Sequence, residues 1–336
     1  MTLGITHSQH PLGSGFTAAS TAEDVLAGID LTGRNVIVTG GHSGLGLVAT
    51  RALAEAGASV TVASRDTDRA ARAVAGIARV EVGRLDLLDP ASIDAFVDGY
   101  LGSGRPLHIL VNNAGFTPSG SGLTHDARGY ETQFAVNHLG HFQLTLGLYP
   151  ALRAAGGARV VTTTSGAQRM SDILWDDPHF TTGRHDPGLA YPQSKTANVL
   201  FTVELDRRWA ADGIRAYAPH PGIVPATAFN RAVGERAQRD MGLIDQAGEP
   251  IIDPVRGQKT PEQGAATIVF AAASPLLAGL GGVYLNNSDI SPLDEDPRAI
   301  DLTEPGPDGI PVDVVPHSVD PDSARRLWEL SEELIR

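Results

Sequence analysis

Thr39-Gly-Gly-His-Ser-Gly-Leu-Gly46 is the stretch that decides the fold. Before it runs Asn35-Val-Ile-Val38, a short apolar run. After it runs Leu47-Val-Ala-Thr-Arg-Ala-Leu-Ala-Glu-Ala56, with apolar residues at helical spacing. The order is strand, glycine turn, helix. Glycine has no Cβ, so backbone N–H groups in such a turn can approach a pyrophosphate, and the positive end of the helix dipole faces it. The bland alternative is an ordinary strand-to-helix loop; the flanks favour a nucleotide. The spacing Gly40…Gly44-x-Gly46 differs from the G-x-G-x-x-G of many dinucleotide folds.

Working outward, residues 1–19 are rich in Gly, Ser, Thr and His and read as a loosely held arm. Ser20-Thr-Ala-Glu23 reads as a capping box for a short helix through Leu26. Downstream, Ser59-Val-Thr-Val-Ala63 predicts a second strand. In dinucleotide folds the residue ending this strand meets the adenosine ribose, and an acidic one accepts from the 2′-OH of NAD. Here Ser64 holds that place and Arg65 follows, which suits a 2′-phosphate and hence NADP. Asp66 reads as the cap of the next helix. The alternative is a solvated Arg65 and NAD.

Arg79-Val-Glu-Val-Gly-Arg-Leu85 predicts a third strand ending at Asp86-Leu87, and Asp89-Pro90 opens a helix. Leu107-His-Ile-Leu-Val111 predicts a fourth, ending in Asn112-Asn-Ala-Gly115. Residues 130–155 have a helical pattern. His138 and His141 within it lie three apart, but no third ligand follows at metal spacing, so no metal is expected. Ala158-Arg-Val-Val-Thr-Thr-Thr-Ser165 is the fifth strand. A polar and aromatic excursion with Trp175, Phe180 and His185 leads to a helix beginning Ala190-Tyr-Pro-Gln-Ser-Lys195, with Tyr191 and Lys195 four apart on one face. A tyrosine has a pKa of about 10, and a neighbouring ammonium favours the phenolate. A surface Tyr–Lys pair is the alternative.

Ile214-Arg-Ala-Tyr-Ala218 predicts a sixth strand before Pro219-His-Pro-Gly222. Residues 223–258 read as irregular. Thr260-Pro-Glu-Gln263 starts a helix, Gly282-Val-Tyr-Leu285 is a seventh strand, and residues 286–318 read as mostly loop. A last helix begins at Asp320, with Ala324, Leu327, Trp328, Leu334 and Ile335 as its apolar stripe. This alternation predicts an α/β, doubly wound Rossmann fold with a seven-stranded parallel sheet. The division expected is an N-terminal arm over 1–32, a dinucleotide-binding catalytic domain over 33–287, and a C-terminal extension over 288–336 packed on the same domain.

Composition narrows the class. The 336 residues are 42% hydrophobic and 19% charged, as in soluble globular chains. With 26 basic and 39 acidic side chains the net charge is −13, which argues against nucleic acid and anionic membranes. Cys is absent, which excludes disulfides, thiolate metal sites and a cysteine nucleophile. No secretory signal and no apolar run of about 18 residues is visible, so a cytoplasmic protein without membrane insertion is expected.

Over about residues 33–287 these features resemble the short-chain dehydrogenase/reductase family. The motifs are Thr39-Gly40-x-x-x-Gly44-x-Gly46, Asn112-Asn-Ala-Gly115, Asn137, Ser165 and Tyr191-x-x-x-Lys195, in the family's order. Asn137-His-Leu-Gly-His-Phe142, the long gap from Ser165 to Tyr191, and Tyr191-Pro-Gln-Ser-Lys-Thr-Ala-Asn198 look like the retinol dehydrogenase branch, which includes bacterial reductases of unassigned substrate. The resemblance implies an NADP(H)-dependent oxidoreductase interconverting a ketone or aldehyde and an alcohol. Tyr191 would be the acid/base. Lys195 would hold the nicotinamide ribose and lower the Tyr191 pKa. Ser165 would bind the substrate oxygen, and Asn137 would keep a proton-relay water. Gly40, Ser43, Gly44, Leu45 and Gly46 would surround the pyrophosphate, and Arg65 would take the 2′-phosphate. Asp86 and Leu87 would flank the adenine, Asn113, Ala114 and Gly115 the adenosine side, and Pro221, Gly222 and Val224 the nicotinamide.

Two departures stand out. The family often has threonine two residues after Val224, where this chain has Ala226 and then Thr227. The extension past Leu285 is longer than the family core. Phe116, Thr117 and residues 170–185 and 223–258 are expected to build the substrate pocket. Phe116, Trp175, Phe229 and Met241 suggest an apolar or aromatic small molecule. A non-catalytic dinucleotide sensor or scaffold, an NAD-dependent alcohol dehydrogenase, and an epimerase or dehydratase remain open alternatives. A homo-oligomer paired through the helices of Asn137 and Tyr191 is also open.

Overall fold

Runs of Val, Ile and Leu alternate with Ala- and Leu-rich segments from residue 35 onward, and each run becomes a strand of one sheet. The structure, a computed structural model, describes residues 9–117, 122–225, 227, 234–297 and 311–336. Seven strands are parallel: β1 (Asn35–Thr39), β2 (Ser59–Ser64), β3 (Val80–Arg84), β4 (Ile109–Asn112), β5 (Ala158–Thr162), β6 (Ile214–His220) and β7 (Val283–Asn286). They lie in the order β3-β2-β1-β4-β5-β6-β7. The order reverses between β1 and β4, which opens a crevice beyond the carboxyl ends of those strands.

The expected count of seven is corrected by one. A short β8 (Asp289–Ile290) pairs antiparallel with β7. Asn287 and Ser288 make the reversal, both at positive φ (51° and 58°). The arm is also better held than expected from residue 9 on. Gln9 donates to the Tyr284 and Ser291 carbonyls and accepts from Tyr284 N, while Asp289 accepts from Leu12 N and Ser14 N.

Two cores form, one on each face of the sheet. On one face α1 (Ala22–Leu26), α2 (Gly44–Glu55) and α10 (Pro261–Ala273) bury Leu53, Ile268 and Phe270 with the Val36 and Val60 side of the strands. On the other, α4 (Pro90–Gly102), α6 (Gly140–Gly147), α7 (Tyr149–Ala154) and α8 (Ala190–Trp209) bury Phe142, Leu148 and Phe201 against Ile37 and Leu110. On the first of these faces, where Ala70 is buried, α3 (Thr67–Ala73) is capped by Asp66, whose side chain accepts from Arg69 N. The first cap is shifted by one from expectation: Thr21 and Asp24 form the box, and Ser20 Oγ accepts from Thr17 N.

The single helix expected over 130–155 is broken. It runs as α5 (Thr132–Phe134), a π-helical turn (Ala135–Leu139), α6 and α7. Pro150 has no N–H to continue α6 into α7. The regions 223–258 and 286–318, expected as irregular, contain α9 (Glu235–Asp240), β8 and α11 (Pro316–Val319) among their described residues. The last helix, α12 (Pro321–Leu334), docks as its apolar stripe requires. Trp328 packs edge-on to Phe142 at 5.0 Å between centroids, and Ser331 Oγ meets His138 Nε2 at 2.7 Å. Among the described residues no helix is long and apolar enough to cross a membrane.

Candidate active site

The glycine turn has the shape that its sequence requires. Gly40 and Gly44 stand at φ +66° and +51°, where a side chain is strained. A Cβ on Gly46 would lie 2.5 Å from the Gly40 carbonyl oxygen and 2.6 Å from Asn113 Nδ2. The backbone is thereby drawn close to the loop after β4. Asn113 N and Ala114 N each donate to Thr39 Oγ1 at 2.9 Å, and Asn113 Nδ2 donates to Thr39 O. Ser43, the exposed N-cap of α2, makes no side-chain cap, so the first helical N–H groups face outward. That is a cradle for a pyrophosphate and fits the expected cofactor.

Leu45 and the residues expected at the nicotinamide, Pro221 and Val224, converge on Gly264 of α10, where a Cβ would meet Val224 Cγ2 at 2.6 Å and Leu45 Cδ2 at 2.8 Å. Gly222, at φ +80°, lets the buried Lys259 side chain pass beneath it. Thr227 lies over Gly44 and donates its hydroxyl to the Val224 carbonyl at 3.0 Å. Ala226 and Phe229 lie outside the described residues.

At the end of β2 Ser64 is buried, its hydroxyl donating to Asp66 O, and Arg65 follows it. Sequence reading missed two neighbours, His42 and Arg69. Burial lowers the His42 pKa, with the charge of Arg69 and then of Arg65 adding to it, while Asp66 opposes. His42 Nδ1 is buried without a hydrogen-bond partner among the described residues. Two arginines and an unpaired imidazole nitrogen suit an anion. The basic residues following β2 were the available signal. Asp86 turns its carboxylate to Leu88 N, and Leu87 is buried with its carbonyl against Gly140.

Ser165, Tyr191, Lys195 and Asn137 come together at the carboxyl ends of β4, β5 and β6. After β5 the chain stays extended and is fastened on both sides: Thr163 N donates to Asn112 O, Thr164 N to Pro219 O, and Gly166 N to His220 Nδ1. Thr163 O accepts from Lys195 Nζ at 3.2 Å and from Asn198 Nδ2 at 3.0 Å. This places Ser165 against α8, where its hydroxyl hydrogen-bonds the Tyr191 phenol. Lys195 Nζ lies 5.5 Å from the Tyr191 ring centroid. Asn137 Oδ1 accepts from Phe116 N at 2.8 Å, and its Nδ2 donates to Phe116 O and to Ser194 Oγ. The Asn137 side chain therefore ties the loop after β4 to α8, while its main-chain carbonyl accepts from His141 Nδ1 at 3.1 Å.

Burial governs the electrostatics. It pushes the Tyr191 phenol up to about 12, against the pull of the Ser165 hydrogen bond, and brings the Lys195 ammonium down to about 8. Burial and the Ser165 bond set the phenol here, and the lowering by Lys195 that the resemblance implies is not among its causes. One pocket expectation also changes. Trp175 packs with Ile173 and Leu327, its ring 4.2 Å from the Arg326 guanidinium carbon, so it belongs to the core beneath α12. Phe116 is half-buried, and Met241 caps the end of α9.

Comparisons with known proteins establish the family. The family model for short chain dehydrogenase matches residues 34–238. A Streptomyces lividans protein named "Probable oxidoreductase" is 45% identical over 312 residues, spanning 91% of this chain and 99% of that one. Human retinol dehydrogenase 12 is 35% identical over 313 residues, spanning 91% and 88%. The crystal structure of an uncharacterized protein from Mycobacterium paratuberculosis is similar with a TM-score of 0.68 and 32% identity, over 94% of this chain and 97% of that one. The chain therefore belongs to the short-chain dehydrogenase/reductase family, on its retinol dehydrogenase-like branch, and is an NAD(P)-dependent oxidoreductase.

Proposed function

We propose that the protein is an NADP(H)-dependent carbonyl reductase for an apolar or aromatic small molecule. The observation that carries this is the Ser165–Tyr191 hydrogen bond with Lys195 beside it, facing the crevice that the glycine turn also faces. Hydride to the carbonyl carbon is the chemistry that the bound nicotinamide supplies. Tyr191, protonated at neutral pH, donates its proton to the carbonyl oxygen as the alcohol forms. Ser165 donates a hydrogen bond to that oxygen and stabilises its developing charge. Lys195 holds the nicotinamide ribose and keeps a positive charge behind the phenol. The Asn137 main-chain carbonyl serves the relay that returns a proton. A phenol held neutral is an acid, which favours the reductive direction.

His42, Arg65 and Arg69 form the 2′-phosphate site, which favours NADP over NAD. Gly40, Ser43, Gly44, Leu45 and Gly46 cradle the pyrophosphate. Asn113, Ala114 and Gly115 line the adenosine side, Asp86 and Leu87 the adenine, and Pro221, Gly222 and Val224 the nicotinamide. A composition with Cys 0 is consistent with a reducing, cytoplasmic compartment. The packing of α12 over α6 and α8 favours a chain that does not pair through those helices.

The test is nucleotide oxidation with a ketone and aldehyde panel, run with NADPH and NADH on the wild type and Tyr191→Phe. The expected result is turnover that prefers NADPH and falls by about 10²-fold or more in the variant. Equal turnover by both proteins would remove Tyr191 from the mechanism. Tight NADPH binding without turnover on any member would point to a sensor instead.

A further inference from the structure

His141 is fully buried, three residues past His138 and outside the set of groups used above. Its Nδ1 lies 3.1 Å from the Asn137 main-chain oxygen, and its Nε2 lies 2.9 Å from Thr39 Oγ1. A carbonyl oxygen can only accept, so Nδ1 carries the proton and Nε2 is left with a lone pair. The Thr39 hydroxyl must then donate to Nε2. The Val111 carbonyl, at 3.4 Å, is the more distant acceptor. The lone pairs of Thr39 Oγ1 are already taken by the N–H groups of Asn113 and Ala114. Every donor in this chain of bonds therefore has one acceptor, and only one tautomer of His141 satisfies it.

The elements joined are those that must keep register for hydride transfer. Thr39 ends β1 and leads directly into Gly40. Asn113 and Ala114 follow β4. Asn137 sits in the π-helical turn, whose displaced hydrogen bonding puts its carbonyl within reach of a side chain four residues on. We infer that His141 is a positioning residue, a rigid imidazole strut that fixes the Asn137 carbonyl relative to the end of β1 and so aligns the relay side of the site with the cofactor turn. This role rests on the reductase chemistry proposed above. Burial brings the imidazole pKa down to about 4, the Lys195 charge adding to this and the Asn137 bond opposing it, so the strut stays neutral at working pH.

Three variants separate the two ends. His141→Phe keeps a ring and loses both bonds. His141→Asn keeps a donor near the Nδ1 position, toward Asn137, and loses Thr39. His141→Gln keeps an acceptor near the Nε2 position, toward Thr39, and loses Asn137. The expected result is that His141→Phe lowers kcat by about 10- to 100-fold, as a misplaced group does, while the NADPH dissociation constant from nucleotide fluorescence changes less than about threefold. His141→Asn should recover part of the lost kcat, and His141→Gln should recover less. If all three variants lost thermal stability and retained wild-type kcat, His141 would be packing only and the inference would fail. A loss of kcat matched by an equal loss of NADPH affinity would also overturn it. A second measurement needs no substrate: nitrogen-15 NMR of histidine-labelled protein should show His141 in the Nδ1–H tautomer and not titrating between pH 6 and 8. An Nε2–H tautomer, or titration in that range, would overturn the strut even if the enzyme were active. A wild type that reduced no carbonyl would overturn the proposed reaction, with the spectrum still deciding the strut.

Discussion

Tyr191 and Lys195 are pulled in opposite directions by the same burial. The phenol stands at about 12 and the ammonium at about 8, so between neutrality and pH 8 both carry their proton. That is the state a reductase needs, with an acid to give and a charge behind it. As pH rises through 8 the Lys195 charge is lost while Tyr191 remains a phenol. We expect kcat/KM for carbonyl reduction to be level below about pH 7.5 and to fall with a midpoint near the Lys195 value. A rate that climbed steadily to pH 9 would contradict this pairing. The residues themselves were legible only through the family resemblance, whose order Ser165, Tyr191 and Lys195 follow; spacing alone left a surface Tyr–Lys pair open. What each neighbour does was not legible. Asn137 spends its side chain on Phe116 and Ser194, and His42 joins Arg69 from a residue inside the glycine turn. Such contacts join residues far apart in sequence, and no periodicity encodes them.

Among the elements, the seven parallel strands could be read because each is a compact β-branched or apolar run between turn residues. The two residues of β8 are too few for a pattern. The π-helical turn lies where Ala135, Asn137, His138 and Leu139 are all buried, so no amphipathic stripe marks the change of pitch. The C-terminal helix was legible as a docked element but not where it docks. Trp328 is 3% exposed and sits between Phe142 of α6 and Phe201 of α8, with the Arg208 guanidinium over its ring. Trp328→Ala should cost about 3–5 kcal/mol, the usual range for emptying a buried aromatic site. Trp328→Phe should cost less than half of that. The indole Nε1 is buried without a partner among the described residues, so phenylalanine gives up volume but no hydrogen bond. Urea unfolding midpoints of the two variants measure the difference. Equal midpoints for wild type and the alanine variant would mean that α12 adds nothing to the core. Because α6 and α8 flank the site, the alanine variant also tests whether the extension steadies Tyr191.

At the scale of the whole molecule, the acid side of the stability curve follows from how the fold treats histidine. His138 and His220 are held at about 3 and His141 at about 4, each chiefly by burial, against about 6.5 in an unfolded chain. Their neutral forms are hydrogen-bonded: His138 to Ser331, His220 to Gly166 N, and His141 to Thr39 and Asn137. As pH falls below about 6.5 the unfolded chain takes up protons that the folded one refuses. The unfolded state then binds more protons, so stability rises with pH through this window and falls on acidification. The contribution is complete above about 6.5 and declines continuously until the pH reaches the folded values. At pH 5 each of the three accounts for on the order of 2 kcal/mol of lost stability, a large part of an ordinary folding free energy. Most carboxylates remain ionised at pH 5, so histidines dominate the change from pH 7. The decrease in net negative charge on acidification works the other way, through weaker self-repulsion, but a surface effect screened by salt is smaller than three buried groups. Urea unfolding at pH 7, 6 and 5 in constant salt should therefore give a free energy that drops by several kcal/mol, most steeply below pH 6. His220→Gln, which keeps an acceptor for Gly166 N and cannot take up a proton, should flatten that slope by about one proton. A stability that stayed level from pH 7 to 5 would show that these histidines reach their protons without unfolding.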